Sequence, residues 1–284
     1  MKKNNLKKYI ILILLLSSFF YTFFSYVQKN FFQVSNHNLR FHFIDVGQGD
    51  SSLIITPNGK TILIDAGDEA HAKKVVSYIR EQGIEKLDLV IATHPDADHI
   101  GGMDKVIKNF DIGVFAMPDV SAKTNQYKQI QRELKAKKMK AIRLYQSDEV
   151  QIDDDIDFEI LSPVKGKKYD DTNEYSIVAK IVYKDTSFIL MGDATMENEV
   201  DIINNVPDID IDVLKLGHHG SSTSSSDYFI TKTSPKIAII SCGKNNKYGH
   251  PHQEVMRVLK KHGVTPYRCL LYTSPSPRDG LLSR

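Results

Sequence analysis

From Leu39 onward, short apolar runs alternate with amphipathic stretches. Residues 39–47 (LRFHFIDVG), 51–57 (SSLIITP) and 60–67 (KTILIDAG) have strand length and β-branched or aromatic character. Gly47, Gly49 and the Pro57-Asn58-Gly59 turn separate them. Residues 69–84 (EAHAKKVVSYIREQGI) place their apolar positions at helical spacing and stop at Gly83. Residues 86–93 (KLDLVIAT) then read as a buried strand, 103–110 as a helix, 112–118 as a strand and 125–140 as an exposed basic helix. The second half repeats this grammar. Residues 158–163, 175–183 and 187–193 are strand-like, 196–204 helical, 211–217 and 236–243 strand-like, and 252–263 helical. No repeat of fixed period is present, but both halves open on strands and pass into strand–helix alternation, which predicts an α/β protein of two packed sheets flanked by helices. The acidic run at 153–157 reads as a solvated turn.

The chain before Leu39 follows a different pattern. Four lysines in residues 1–8 precede residues 9–27, nineteen positions without a charge. At about 1.5 Å per residue such a run spans a hydrocarbon core of about 30 Å. No small-residue cleavage site follows it, so a retained anchor is expected rather than a cleaved signal. The lysines on its N-terminal side place residues 1–8 in the cytoplasm and the remainder outside the cell membrane. The expected organisation is therefore a basic N-terminus at 1–8, an anchor at 9–27, a linker at 28–38 and a catalytic domain at 39–268. In the tail at 269–284, two Ser-Pro pairs in a polar stretch read as disordered or as sequence foreign to the domain.

Composition adds little to this picture. The formal net charge of +2 over 284 residues excludes a strong global field for polyanions, so any such binding must be local. Two cysteines, Cys242 and Cys269, form neither a disulfide framework nor a Cys-x-x-Cys knuckle.

The candidate chemistry lies in loops that follow predicted strands: DVGQGDS (45–51), DAGD (65–68), THPDADHIGG (93–102), MGDAT (191–195), LGHHGSS (216–222) and YGHPH (248–252). Six of the ten histidines fall in three of these loops. Such clustering is costly to explain by packing, because buried ionisable groups need partners. Imidazole and carboxylate at this spacing suit a dinuclear centre of zinc, manganese or iron, which acidifies water and clamps the oxygens of a displacement. The serines of GSSTSSSDYF (220–229) lack the turn context of a nucleophile elbow and read as loop donors or helix caps.

These motifs, in this order, resemble the metallo-β-lactamase-fold hydrolases, and within them the hydrolase domain of the ComEC-like competence proteins. The resemblance covers residues 41 to about 268. It implies an αβ/βα four-layer sandwich carrying two divalent metal ions, zinc or manganese, at the edge between the sheets. It further implies that His94 and Asp96 serve a first metal, Asp98 and His99 a second, and Asp193 bridges them. One of His218 and His219 is the final histidine, with His219 preferred as ligand. Asp65 stands where the family has an orienting aspartate. Asp98, His218 and His250 are then the expected catalytic groups, with Gln48, Asp50, Asn173 and Ser221 lining the pocket or supporting it.

Two departures from the wider fold pattern stand out. Asp96 occupies a histidine position, and Asn173 and Ser176 lie where a further histidine ligand is usual. The ComEC-like branch resembles the chain at both places, so a subtype with a labile first metal is expected. That branch implies phosphodiester substrates, DNA or a wall polymer. A phosphorylcholine or teichoic-acid esterase, a thioester hydrolase and a non-catalytic metal-stabilised surface protein remain as alternatives. No multi-helix channel segment lies in these residues, so a role as an uptake pore is not expected.

Overall fold

The computed structural model describes residues 16–23, 38–206 and 209–269. Residues 16–23 are helical and carry exposed Leu16, Phe19, Phe20, Tyr21 and Phe23. The expected anchor at 9–27 falls largely outside the described residues, as do 1–8, most of the linker and all of the tail beyond Cys269. Among the described residues no helix is long and apolar enough to cross a membrane.

Strand parity builds the rest. Within β2 (Ser52–Ile55) and β3 (Thr61–Ile64), Leu53, Ile55 and Leu63 face one apolar cluster while Ile54, Ile62 and Ile64 face another. The same division separates Ile189 from Phe188 and Leu190 in β8 (Thr186–Leu190), and Leu214 from Val213 in β9 (Val213–Lys215). A strand that is apolar on both faces must be covered on both. The result is helices, sheet, sheet, helices, with the middle cluster shared between the two sheets. The first sheet runs in the order β1 (Arg40–Phe43), β2, β3, β4 (Lys86–Ile91), β5 (Asp111–Ala116). The second runs β11 (Thr265–Arg268), β10 (Ile237–Ile240), β9, β8, β7 (Val178–Tyr183), β6 (Asp157–Ser162). In each sheet the first three strands in the chain pair antiparallel and the later ones parallel, matching the strand-first grammar of both halves.

The helices meet the sheets through i, i+3, i+4 stripes. In α1 (Ala72–Glu81) the buried residues are Ala72, Val75, Val76 and Ile79. The short α2 (Ala97–Ile100) and α3 (Met103–Asn109) follow β4, and α4 (Asn125–Ala136) packs on both, burying Ile130 and Leu134. Its Lys128, Arg132 and Lys135 are exposed, as the basic pattern predicts. On the second sheet lie α5 (Met196–Asn205), α6 (Asp227–Thr233) and α7 (Gln253–Lys261). The hydroxyl of Ser226 accepts the Phe229 N–H and caps α6, the role predicted for that serine run.

One expectation fails here. The acidic turn is not simply solvated: Asp153 is buried and clamps the β2–β3 turn, accepting from the Thr56 hydroxyl and, at 2.7 Å, from Asn58 Nδ2. A buried carboxylate needs donors, and the hairpin turn supplies them.

Candidate metal centre

The site forms where the loops after β3, β4, β8 and β9 converge. Asp65, immediately after β3, holds φ 60, a left-handed conformation disfavoured for a residue with a Cβ. Three hydrogen bonds fix its carboxylate there. The Thr93 N–H donates to Oδ1 at 2.8 Å, while the Thr93 hydroxyl and His99 Nδ1 each donate to Oδ2 at 2.7 Å. With the Thr93 proton committed to Asp65, Thr93 Oγ1 can only accept from His94 Nδ1, 3.1 Å away. On the opposite sheet His219 Nδ1 donates to the Ser241 carbonyl at 3.0 Å. All three imidazoles are therefore held at Nδ1 and turn Nε2 inward, the arrangement expected of ligating histidines.

The inward atoms meet Asp193, which follows β8. Its carboxylate lies 3.1 Å from His99 Nε2, 3.4 Å from His219 Nε2, 3.8 Å from His218 Nε2 and 3.9 Å from His94 Nε2. Asp98 Oδ2 lies 3.2 Å from His219 Nε2. The Nε2 atoms of His99 and His219 approach to 3.4 Å. Ligand atoms of Asp50, His99, Asp193 and His219, all buried, lie within 4.8 Å of one another.

A divalent cation fits this donor set. Buried His94 Nε2 and Asp193 Oδ1 have no hydrogen-bond partner, and such orphaned atoms are otherwise costly. The electrostatics point the same way. Burial alone lowers the affinity of His219 for a proton, but Asp193 and Asp50 outweigh it and raise the ring to about 9. Burial likewise opposes charge on His99, yet Asp193 and Asp65 hold it well above its ordinary value. Burial raises Asp193, and the facing His219 and His99 pull it well below the usual carboxylate range. A cluster that attracts protons this strongly attracts a cation for the same reason, and the two compete.

The remaining predicted residues are distributed around this centre. Asp96 stands at the N-cap of α2, where its carboxylate accepts from the Thr172 hydroxyl at 3.0 Å. Asn173 lies in the 3₁₀ turn Thr172–Tyr175, with Oδ1 buried and unpartnered. Ser176, rather than Asn173, reaches the site: its Oγ accepts the Asp193 N–H at 3.1 Å and lies 3.5 Å from His94 Nδ1. His218 and His219 both adopt left-handed backbone, with φ 46 and 56, an outlier pair of the kind that marks functional loops. His218 Nδ1 pairs with the Thr223 hydroxyl at 2.9 Å. Ser221 is buried, and its Oγ accepts from the Thr223 N–H and hydroxyl. The His250 ring packs 5.7 Å from that of His218 and 6.1 Å from that of His219, with Nδ1 buried and unpartnered. Burial and the neighbouring histidines lower His250 to about 4, so it stands neutral. Gln48 Oε1 accepts the Gly243 N–H at 3.1 Å. At Gly49, φ 142 and a Cβ position 2.3 Å from the Asp98 carbonyl leave room for glycine alone.

Asp50, expected to line or support the pocket, is buried and ion-paired with Lys215, which is itself 2% exposed. Lys215 was not among the predicted residues, nor was Glu199. Buried Glu199 accepts the N–H groups of Ser225 and Ser226 and so holds the loop after His219.

Comparison with known proteins agrees with this geometry. The family model of the metallo-beta-lactamase superfamily matches residues 44–244. The chain is 33% identical to ComE operon protein 3 of Bacillus subtilis over 79% of its own length and 31% of that protein. It is 32% identical to competence protein ComA of Neisseria gonorrhoeae, covering 78% of the chain and 29% of the relative. Recombination protein 2 of Haemophilus influenzae is also 32% identical, over 82% and 28%. The chain thus spans less than a third of the length of these curated relatives. Among solved structures, the metallo-beta-lactamase fold protein YhfI from Bacillus subtilis aligns with a TM-score of 0.53 at 13% identity, over 81% of this chain and 96% of that one, a likeness of fold alone. Four-layer sandwich, inward-facing histidines and matched family model lead to one assignment: the chain belongs to the metallo-β-lactamase superfamily of metallo-hydrolases.

Proposed function

We propose that the chain is a metal-dependent phosphodiesterase of the ComEC-like type, held at the cell membrane by residues 9–27 with its catalytic domain outside. The observation that supports this most directly is the convergence of His94, His99 and His219 through Nε2 on Asp193, each ring secured at Nδ1. Two divalent ions, zinc or manganese, are proposed to be held by His94, Asp96, Asp98, His99, Asp193 and His219. When bound, such ions polarise a phosphoryl oxygen and acidify water. The chain's own groups do the rest. Burial raises Asp98, but His219 and His99 bring it below the usual carboxylate range, so it is anionic at neutral pH and able to orient water or take its proton. Neutral His250 and half-exposed His218 offer donors to phosphate oxygens as charge builds on them. The carboxylate-rich, hard donor set favours phosphoester over thioester substrates. DNA and a wall polymer are the proposed substrates, and the competence proteins among the relatives favour DNA.

The test uses the full chain in detergent. Bound metal is measured, and bis-p-nitrophenyl phosphate, single-stranded DNA and a thioester are offered. The expected result is phosphodiester cleavage that requires metal and is lost in Asp98→Asn. Cleavage of the thioester alone would overturn the substrate class, and full activity in metal-loaded Asp98→Asn the role of Asp98. Release of the domain by protease applied to intact cells tests the topology; protection would sink the outside placement.

A further inference from the structure

Strand parity sends Lys215 somewhere a lysine does not belong. In β9, Val213 faces the core between the sheets and Leu214 faces the helices, so Lys215 turns back into the inter-sheet core. There its Nζ donates to Asp50 Oδ2 and, at 3.2 Å, to the Leu216 carbonyl. The adjoining cavity, lined by Asp50, Asp65, Thr93 and Lys215 among others, measures about 10 Å³. That is at the lower limit for one water, so Asp50 rather than solvent balances the ammonium. The other oxygen, Asp50 Oδ1, lies 3.3 Å from His219 Nδ1. Asp98 and Asp193 face the opposite nitrogen of that ring, Nε2. Asp50 therefore faces the Nδ1 side of His219, while its carboxylate still comes within 4.8 Å of ligand atoms of His99 and Asp193.

We infer that Lys215 is a positioning residue: by pairing with Asp50 it keeps that carboxylate out of the ligand set and limits its pull on the His219 Nδ1 proton, thereby setting the metal affinity of the site. The inference rests on the metal-centre reading above. A carboxylate behind a ligating imidazole makes the ring a stronger donor, and a cation paired with that carboxylate weakens the effect.

Zinc affinity of the full chain in detergent, measured by competition with a chromogenic chelator, tests this without any activity assay, with circular dichroism reporting the fold. Lys215→Met frees the Asp50 charge and is expected to bind zinc more tightly. Asp50→Asn leaves Lys215 uncompensated behind the site and is expected to bind at least about ten-fold more weakly, the scale of lost support behind a ligand. The neutral double variant Asp50→Asn/Lys215→Met, which carries no buried unpaired charge, is expected to fold and to bind within about three-fold of the unaltered chain, a difference of under 1 kcal/mol. A double variant that loses as much affinity as Asp50→Asn would make Asp50 a ligand and overturn the proposal. Single variants that fold but leave zinc affinity unchanged would reduce the pair to a structural staple. Failure of the unaltered chain to bind zinc or manganese would instead overturn the metal centre itself.

Discussion

His94 and His99 lie five residues apart, are both fully buried, and turn Nε2 toward the same aspartate, yet they are held differently. His99 donates to a carboxylate, Asp65, at 2.7 Å, and Asp193 lies 3.1 Å in front of it. His94 is backed by hydroxyls, Thr93 at 3.1 Å and Ser176 at 3.5 Å, and Asp193 lies 3.9 Å away. A carboxylate behind an imidazole orients it and strengthens it as a donor, whereas a hydroxyl mainly orients it. The charges follow: His99 stands well above its ordinary proton affinity, and His94, where burial dominates, stands below. The side of the site around His99, Asp98 and His219 is thus pre-organised for a cation, and on the proposed two-metal reading the half assigned to His94 and Asp96 would hold one less tightly.

The largest expected effect removes what the halves share. Asp193 is within 3.9 Å of four histidines, so Asp193→Asn is expected to release metal from both halves and to reduce hydrolysis to that of metal in buffer. Metal content and rate are measured on the same sample, and retention of one full equivalent would break the shared role. Next in size is Asp65→Asn, which spares every proposed ligand but weakens the support of His99 and of Thr93. A loss of about 10–100-fold in metal affinity is expected. Ser176→Ala, behind His94, is expected to cost far less. Equal losses in the two variants would erase the distinction between the halves.

Much of this was legible in the sequence because it is local. Strands apolar on both faces announce two covered sheets, and the motif loops follow strands whose ends the pattern fixes. Legibility ends where a residue's role depends on a partner far along the chain. Glu199 sits in a helix whose pattern gives no sign of burial, because the amides it accepts, those of Ser225 and Ser226, come 26 and 27 residues later. Asp50 and Lys215 are 165 residues apart. Lys215 did leave a signal, a lysine at an inward strand position between Leu214 and Leu216, and parity applied to β9 would have found it. Asp153 left none, since a run of aspartates beside a turn reads the same whether it is solvated or clamped.

Glu199 extends the comparison to the loop that carries His218 and His219. Burial pushes its carboxyl up to about 7 from 4.5, against the two N–H groups that favour the anion. For a carboxyl whose folded value is raised, the stabilising contribution is complete below the unfolded value and is lost as pH rises from about 4.5 through 7. The displacement corresponds to about 3 kcal/mol. The urea midpoint of the unaltered chain is therefore expected to fall over that window by more than that of Glu199→Gln, which has no proton to lose. Parallel curves for the two proteins would mean that the loop titrates through another group.

The smallest expected effect bears on the weaker half. Asp96 accepts from Thr172 at 3.0 Å and stands at the N-cap of α2, so its surroundings are built for a carboxylate: a donor hydroxyl faces it, and a helix N-terminus favours negative charge. Histidine at this position would forgo both. Asp96→His is therefore expected to leave the phosphodiester rate no higher than that of the unaltered chain, while shifting metal preference from manganese toward zinc, as a softer nitrogen ligand should. Thr172→Val, which removes the donor and keeps the carboxylate, is expected to change metal affinity by about 0.5–1.5 kcal/mol, the net worth of one hydrogen bond. A gain in rate for Asp96→His would mean that Asp96 is a defect in an otherwise ordinary site. The absence of gain, together with a small loss in Thr172→Val, would identify the loose half as a site matched to a harder metal.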